Sequence, residues 1–184
     1  MFKIGLKPCM AIAVSAYVIP LTLVSISAIT SGWFSLYDNA LSDLGHAVKS
    51  NVAPLFNLGL SLGAILIIVF TSRYAFELSK LLGASLAFTG MSLNLVAVFD
   101  EAYGPLHLIV SMMFFLSLLA VVVAYAYIFK TYVPPTVAAL AGITSWLLHF
   151  TYRVPRGAAI PELISILVSI PFYMRYVVNV CKEH

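Results

Sequence analysis

Long apolar runs separated by brief polar punctuation dominate this chain. Six runs, at about residues 8–30, 54–72, 81–99, 106–129, 135–152 and 160–178, approach or exceed the roughly 20 apolar residues that a helix needs to cross a bilayer. Proline marks their starts. Pro54, Pro105 and Pro161 stand at or beside the first turn of runs two, four and six, and Pro134 and Pro135 open the fifth. A missing N–H costs nothing in a first helical turn. Pro20 and Pro171 fall inside runs one and six, where they predict kinks. The first run, preceded by Lys3 and Lys7, has the layout of a leader as well as of a span, and is read as a span. Most connections are short, which predicts antiparallel neighbours. The exception is 31–53, with turn residues, two acids, His46 and the interfacial pair Trp33 and Tyr37. It predicts a surface segment with one or two helical turns lying across the mouth of the bundle.

Composition turns these runs into membrane spans. Of 184 residues, 62% are hydrophobic and 9% charged. A soluble domain carries about 25% charged residues, and disorder needs a chain far poorer in apolar residues. The fold class is therefore all-α, a single-domain bundle of six transmembrane helices integral to the cytoplasmic membrane. A net charge of +3 is no nucleic-acid signature, and membrane lipids are the expected partners. Lys/Arg bias sets the orientation. With the N-terminus cytoplasmic, Lys3, Lys7, Arg73, Lys80, Lys130, Arg175 and Lys182 lie inside, and Lys49, Arg153 and Arg156 outside. Six spans return the C-terminus to the cytoplasm. Cys9 and Cys181 then fall near the cytoplasmic surface, where thiols stay reduced, and without a CxxC neither a disulfide framework nor a thiolate metal site is expected.

This topology gathers the polar residues at the outer end. Asp38, Asn39, Ser42, Asp43 and His46 belong to the long segment, and Asn57 lies one turn into the second span. Asn94, Asp100 and Glu101 close the third span; His107 and Ser111 open the fourth. His149, Arg153, Arg156 and Glu162 flank the last connection. Ionisable groups at membrane depth are costly and face the bundle interior or water. One reading is a site under the outer surface, with His46, His107 and His149 as candidate zinc ligands and Arg153 and Arg156 as anchors for a lipid phosphate. The plainer reading makes the same residues helix caps, dipole partners and interfacial hydrogen-bonding groups, with Arg153 paired to Glu162. No HExxH or HxxxH fixes two ligands on one helix face, and no phosphate-cradling loop or Ser-His-Asp spacing occurs. The Gly59-to-Gly63 GxxxG predicts close helix packing within the bundle.

Two stretches carry a resemblance. Leu41-Ser42-Asp43-Leu44-Gly45 precedes Leu55-Phe56-Asn57-Leu58-Gly59-Leu60, and Val98-Phe99-Asp100-Glu101 leads through Gly104-Pro105-Leu106-His107 to Met113-Phe114-Phe115. Across roughly 35–130 the chain resembles the prokaryotic family called domain of unknown function 998, small six-span membrane proteins with an SDLG-type segment after the first span. Their second motif is typically a glycine-phenylalanine-proline-glutamate run followed by a histidine; here Val98 and Asp100 replace the glycine and the proline. The resemblance implies six spans and singles out Ser42, Asp43, Asn57, Glu101 and His107, but implies no reaction. It does not extend to His149, Arg153 or Glu162.

These readings converge on Asp43, Glu101 and His107 as acid–base or orienting residues and on Asn57, Arg153 and Arg156 as substrate-binding residues. A carboxylate beside a histidine orients it for proton transfer or metal binding, or clasps a loop to a bundle. The expected function is action on, or binding of, a lipid or prenyl-type molecule, with metal-assisted hydrolysis as the catalytic form. The alternatives are a non-catalytic lipid or solute binder or transporter, and a structural subunit of a membrane complex.

Overall fold

The computed structural model describes residues 8–182. Lys3, Lys7 and Glu183, which enter the charge count, lie outside the described residues. Six helices are long and apolar enough to span a membrane: α1 Pro8–Ser31, α2 Ala53–Leu78, α3 Lys80–Val98, α4 Pro105–Phe129, α5 Val133–Tyr152 and α6 Ala159–Lys182. There is no strand among the described residues. The protein is an all-α integral membrane protein with several passes. Proline occupies the first turn of α2, α4 and α5, while α1 and α6 run unbroken through Pro20 and Pro171. α2 runs further than the apolar count indicated, because a π turn at Thr71–Ala75 carries it to Leu78.

Consecutive helices α1 to α4 pack side by side, and α6 closes the bundle against α4, α5 and α1. Small residues permit the tightest approaches. A Cβ on Gly63 would lie 2.7 Å from Pro20 of α1, and one on Gly59 would lie 2.8 Å from Leu23. The GxxxG is thus an internal seam. Buried tyrosines anchor α6: the Tyr173 hydroxyl donates to the Ala13 carbonyl at 2.9 Å, and Tyr176 donates to Ala75.

Cys9 and Cys181 form a disulfide, with Cα atoms 5.6 Å apart. This overturns the expectation of two reduced thiols. The start of α1 and the end of α6 meet in space because six passes bring α6 back beside α1. Spacing along the sequence carries no trace of that meeting.

Residues 32–52 form a strap across the opposite end of the bundle, with a single 3-10 turn at Leu41–Gly45. Its backbone is held on both sides. Gly157 N–H donates to the Tyr37 carbonyl at 2.8 Å and Ala159 N–H to the Asn39 carbonyl at 2.9 Å. A Cβ on Gly157 would overlap the Asn39 backbone, so only glycine lets the connection before α6 approach so closely. Across the strap, Asn57 of α2 donates to the Gly45 carbonyl at 2.9 Å. Gly45 itself is needed there, since a Cβ would lie 2.6 Å from the Asn57 Oδ1.

Candidate functional site: a cavity beneath the strap

Among helices consecutive in the chain, α4 and α5 touch each other most sparsely, whereas α5 leans on α6. The gap is a cavity of about 1050 Å3. Leu108, Met112 and Leu116 of α4 line it at i, i+4, i+8 spacing, facing Ile143, Leu147 and Phe150 of α5. These six side chains are also well exposed, so this side of the cavity is lined by two accessible apolar helix faces. Ser165 and Val168 of α6 form part of its back wall. Lining residues run from Gly104 to Leu119 along α4 and its start, a depth of roughly 20 Å at 1.5 Å per residue.

The strap end is polar. Asn39, Ser42, Asp43, His46 and Lys49 line it from the strap, Glu101 and His107 from the α3–α4 corner, and His149 and Glu162 from α5 and α6. Asp43 caps the strap turn: its Oδ2 accepts the Ala40 N–H at 2.9 Å and the Asn39 side-chain amide at 3.0 Å. Glu162 Oε2 accepts the Leu41 N–H at 2.6 Å. Asp100, outside the lining, caps the 3-10 turn Glu101–Tyr103 by accepting the Ala102 N–H at 2.7 Å, and also takes the Ala47 N–H at 3.4 Å.

Glu101 is the odd member. Its Oε2 is buried with no hydrogen-bond donor beside it. Burial first, then the hydrogen bond to Asp43 and the charges of Asp43 and Glu162, push its carboxyl up to about 8, against a smaller opposing pull from Lys49. Burial and neighbouring negative charge both disfavour the ionised form of a carboxyl. The α3–α4 corner thus presents a carboxyl that keeps its proton at neutral pH.

Each histidine is tied to backbone. His107 Nδ1 lies 2.8 Å from the Phe99 carbonyl and its Nε2 lies 3.2 Å from Ser111 Oγ. His149 Nδ1 lies 3.0 Å from the Pro155 carbonyl, next to the cis Val154–Pro155 bond. His46 Nδ1 accepts the Val48 N–H at 3.3 Å.

The structure brings Asp43, Glu101, His107, His46 and His149 onto one cavity, and leaves Asn57, Arg153 and Arg156 off it. Asn57 is spent on the strap. Arg153 ends α5 in the left-handed conformation, with its side chain exposed. It does not find Glu162, which is buried and bonded to Leu41. Arg156 pairs with Asp38 at 3.4 Å on the surface and lies over the Tyr37 ring. Among the described residues no three His, Cys, Asp or Glu side chains form a set that could hold a metal ion. His46, His107 and His149 share a wall without sharing a centre, because each ring is fixed by its own stretch of backbone.

Three lining residues escaped the sequence reading of the site: Lys49, Trp146 and Ser165. Trp146 Nε1 donates to Ser165 Oγ at 3.0 Å and stacks on Phe150. An indole midway along a span, rather than at its end, is the signal that pointed to an interior polar partner.

No curated protein and no solved structure matches the chain. A family model described as protein of unknown function (DUF998) matches residues 11–177. That match reaches all six helices, covering all but the outer ends of α1 and α6, and takes in the strap and every polar residue of the cavity; the chain belongs to this family.

Proposed function

We propose that the protein admits an amphipathic membrane lipid sideways from the bilayer and holds it in the cavity, with the head under the strap and the chain between α4 and α5. One observation carries this reading: a cavity lined by polar groups at the strap end and by exposed apolar side chains between α4 and α5. A water-soluble ligand has no use for roughly 20 Å of Leu, Met, Ile and Phe lining, whereas an acyl or prenyl chain leaving the bilayer finds a wall as apolar as the one it left. Asp43, Glu101 and Glu162 face the head together with Lys49, so hydrogen-bond-donating groups suit this end better than a bare phosphate. The Lys/Arg bias favours placing the strap end outside the cytoplasmic membrane, in its outer leaflet.

Gly142 provides the test. A Cβ there would meet only Ser165 Oγ, at 3.8 Å, so a larger side chain enters the cavity without displacing backbone. Wild-type protein purified in mild detergent should carry lipid that native mass spectrometry resolves, and Gly142→Leu should lose at least ten-fold of it at unchanged thermal stability. Equal lipid on both proteins, or none on the wild type, would sink the proposal.

A further inference from the structure

We infer that Ser111 and His107 form a nucleophile–base pair that opens a carboxylic ester of the lipid held in the cavity. This rests on the lipid-binding reading above and adds a reaction to it. Serine hydroxyls within membrane helices ordinarily bond back to a carbonyl three or four residues earlier. Ser27, Ser85, Ser145 and Ser169 all do so. Ser111 does not. Its Oγ lies 3.2 Å from His107 Nε2, one turn earlier on α4, and both residues line the cavity.

The tautomer follows from the neighbours. The Phe99 carbonyl, 2.8 Å from His107 Nδ1, can only accept, so Nδ1 carries the proton. In the neutral ring Nε2 then presents its lone pair to the Ser111 hydroxyl. A hydroxyl donating to an imidazole that a third group orients is the arrangement that activates serine. Here a backbone carbonyl takes the orienting place that a carboxylate holds in the familiar triad.

Depth supports the substrate class. Ser111 lies six residues below Pro105, about 9 Å into the helix at 1.5 Å per residue. Asp43 and Glu101 lie on its polar side; Met112, Phe115 and Leu119 lie on its apolar side. An acyl lipid carries its ester carbonyl at this junction of head and chain.

The chemistry balances without an outside oxidant or metal. Ser111 Oγ bonds to the ester carbonyl carbon as its proton passes to His107 Nε2. The bond from that carbon to the alcohol oxygen breaks, and the alcohol leaves with the proton from Nε2. Water then attacks the acyl carbon, giving a proton to Nε2. The bond to Ser111 breaks, the proton returns to Oγ, and a fatty acid is released. Glu101, half-exposed and protonated to about pH 8, is a donor lining the same cavity.

A long-chain alkyl fluorophosphonate tests the pair on the full chain in detergent. It should modify Ser111, with loss of fluoride, and peptide mass mapping should place the adduct there. Ser111→Ala should take up none, and His107→Gln, whose amide can still donate to Phe99, should react at least ten-fold more slowly. An unmodified Ser111 in protein that still co-purifies with lipid overturns the pair and leaves lipid binding standing. Equal rates in His107→Gln overturn the role of the base. Should His107→Gln not fold, Ser111→Cys supplies a second measurement. Its alkylation by iodoacetamide should show a thiol titrating below the ordinary value of about 8.5, and an unshifted profile overturns the proposal.

Discussion

Glu162 of α6 accepts the backbone N–H of Leu41 at 2.6 Å, joining residues 121 positions apart. The bond extends the two backbone contacts at Tyr37 and Asn39, so alternate strap residues are held by the connection before α6 and by its first turn. It is buried, and removing the acceptor leaves the Leu41 N–H unsatisfied, a loss of about 1–3 kcal/mol. Glu162→Ala should therefore lower stability by that order and expose the strap to proteolysis near 37–45. Glu162→Gln, which keeps an acceptor, should lose less. Thermal unfolding in detergent with limited digestion measures both; a strap equally resistant in Glu162→Ala would show that the other contacts suffice.

Stability should depend on pH through Glu101. Its carboxyl titrates near 8 in the folded protein against an ordinary value of 4.5. The folded state therefore keeps a proton that the unfolded state has released. Its contribution is full below about 4.5, declines as pH rises, and is gone above about 8. Asp43, Glu162 and Lys49 act on this group, and His46 and His107 line the same cavity. The informative quantity is thus a difference. Wild type should lose thermal stability between pH 5 and 9 more steeply than Glu101→Gln, and Asp43→Asn should shift the loss to lower pH. Parallel curves for wild type and Glu101→Gln would contradict the raised Glu101 carboxyl.

Much of this arrangement was legible from residues alone, for identifiable reasons. Hydropathy gives six helices because spans are set by length against the bilayer. Depth along those spans brings Asp43, Glu101 and His107 to one end before any side chain is placed. What stayed hidden depends on packing between distant segments. Nothing local to Cys9 or Cys181 signals their partnership, and nothing in α4 or α5 says that the two will splay. The His107–Ser111 spacing was visible, but it gained meaning only once Phe99 was seen to fix the ring.

The arginines provide a sharp negative. Arg156 and Asp38 are 75% and 50% exposed, and such pairs are worth about 0–1 kcal/mol. Arg153 is exposed and lies off the cavity. Arg153→Ala and Arg156→Ala, separately and together, should leave the lipid bound to purified protein unchanged within two-fold. A larger loss in native mass spectra would return these residues to the site.

The Cys9–Cys181 bond should be a tertiary clamp with no part in the cavity. It ties α1 to α6 across 172 residues and lies at the end of the bundle away from the strap. Removing a disulfide typically costs about 2–4 kcal/mol through the freedom regained by the unfolded chain. In a bilayer the spans remain helical and inserted after tertiary contacts are lost, so the freedom regained is smaller, and about 1–2 kcal/mol is expected here. Both cysteines are almost fully buried, which shields the bond from reductant even if this end faces the cytoplasm. Cys9→Ser and Cys181→Ser should each lower the unfolding midpoint by the same few degrees, and the double variant by no more, because one bond is lost in every case. Bound lipid should be unchanged. Mass-tagging of thiols in protein taken directly from cells should find none free until the protein is both unfolded and reduced. Free thiols in the unfolded but unreduced protein would show that the pair stays reduced in the cell.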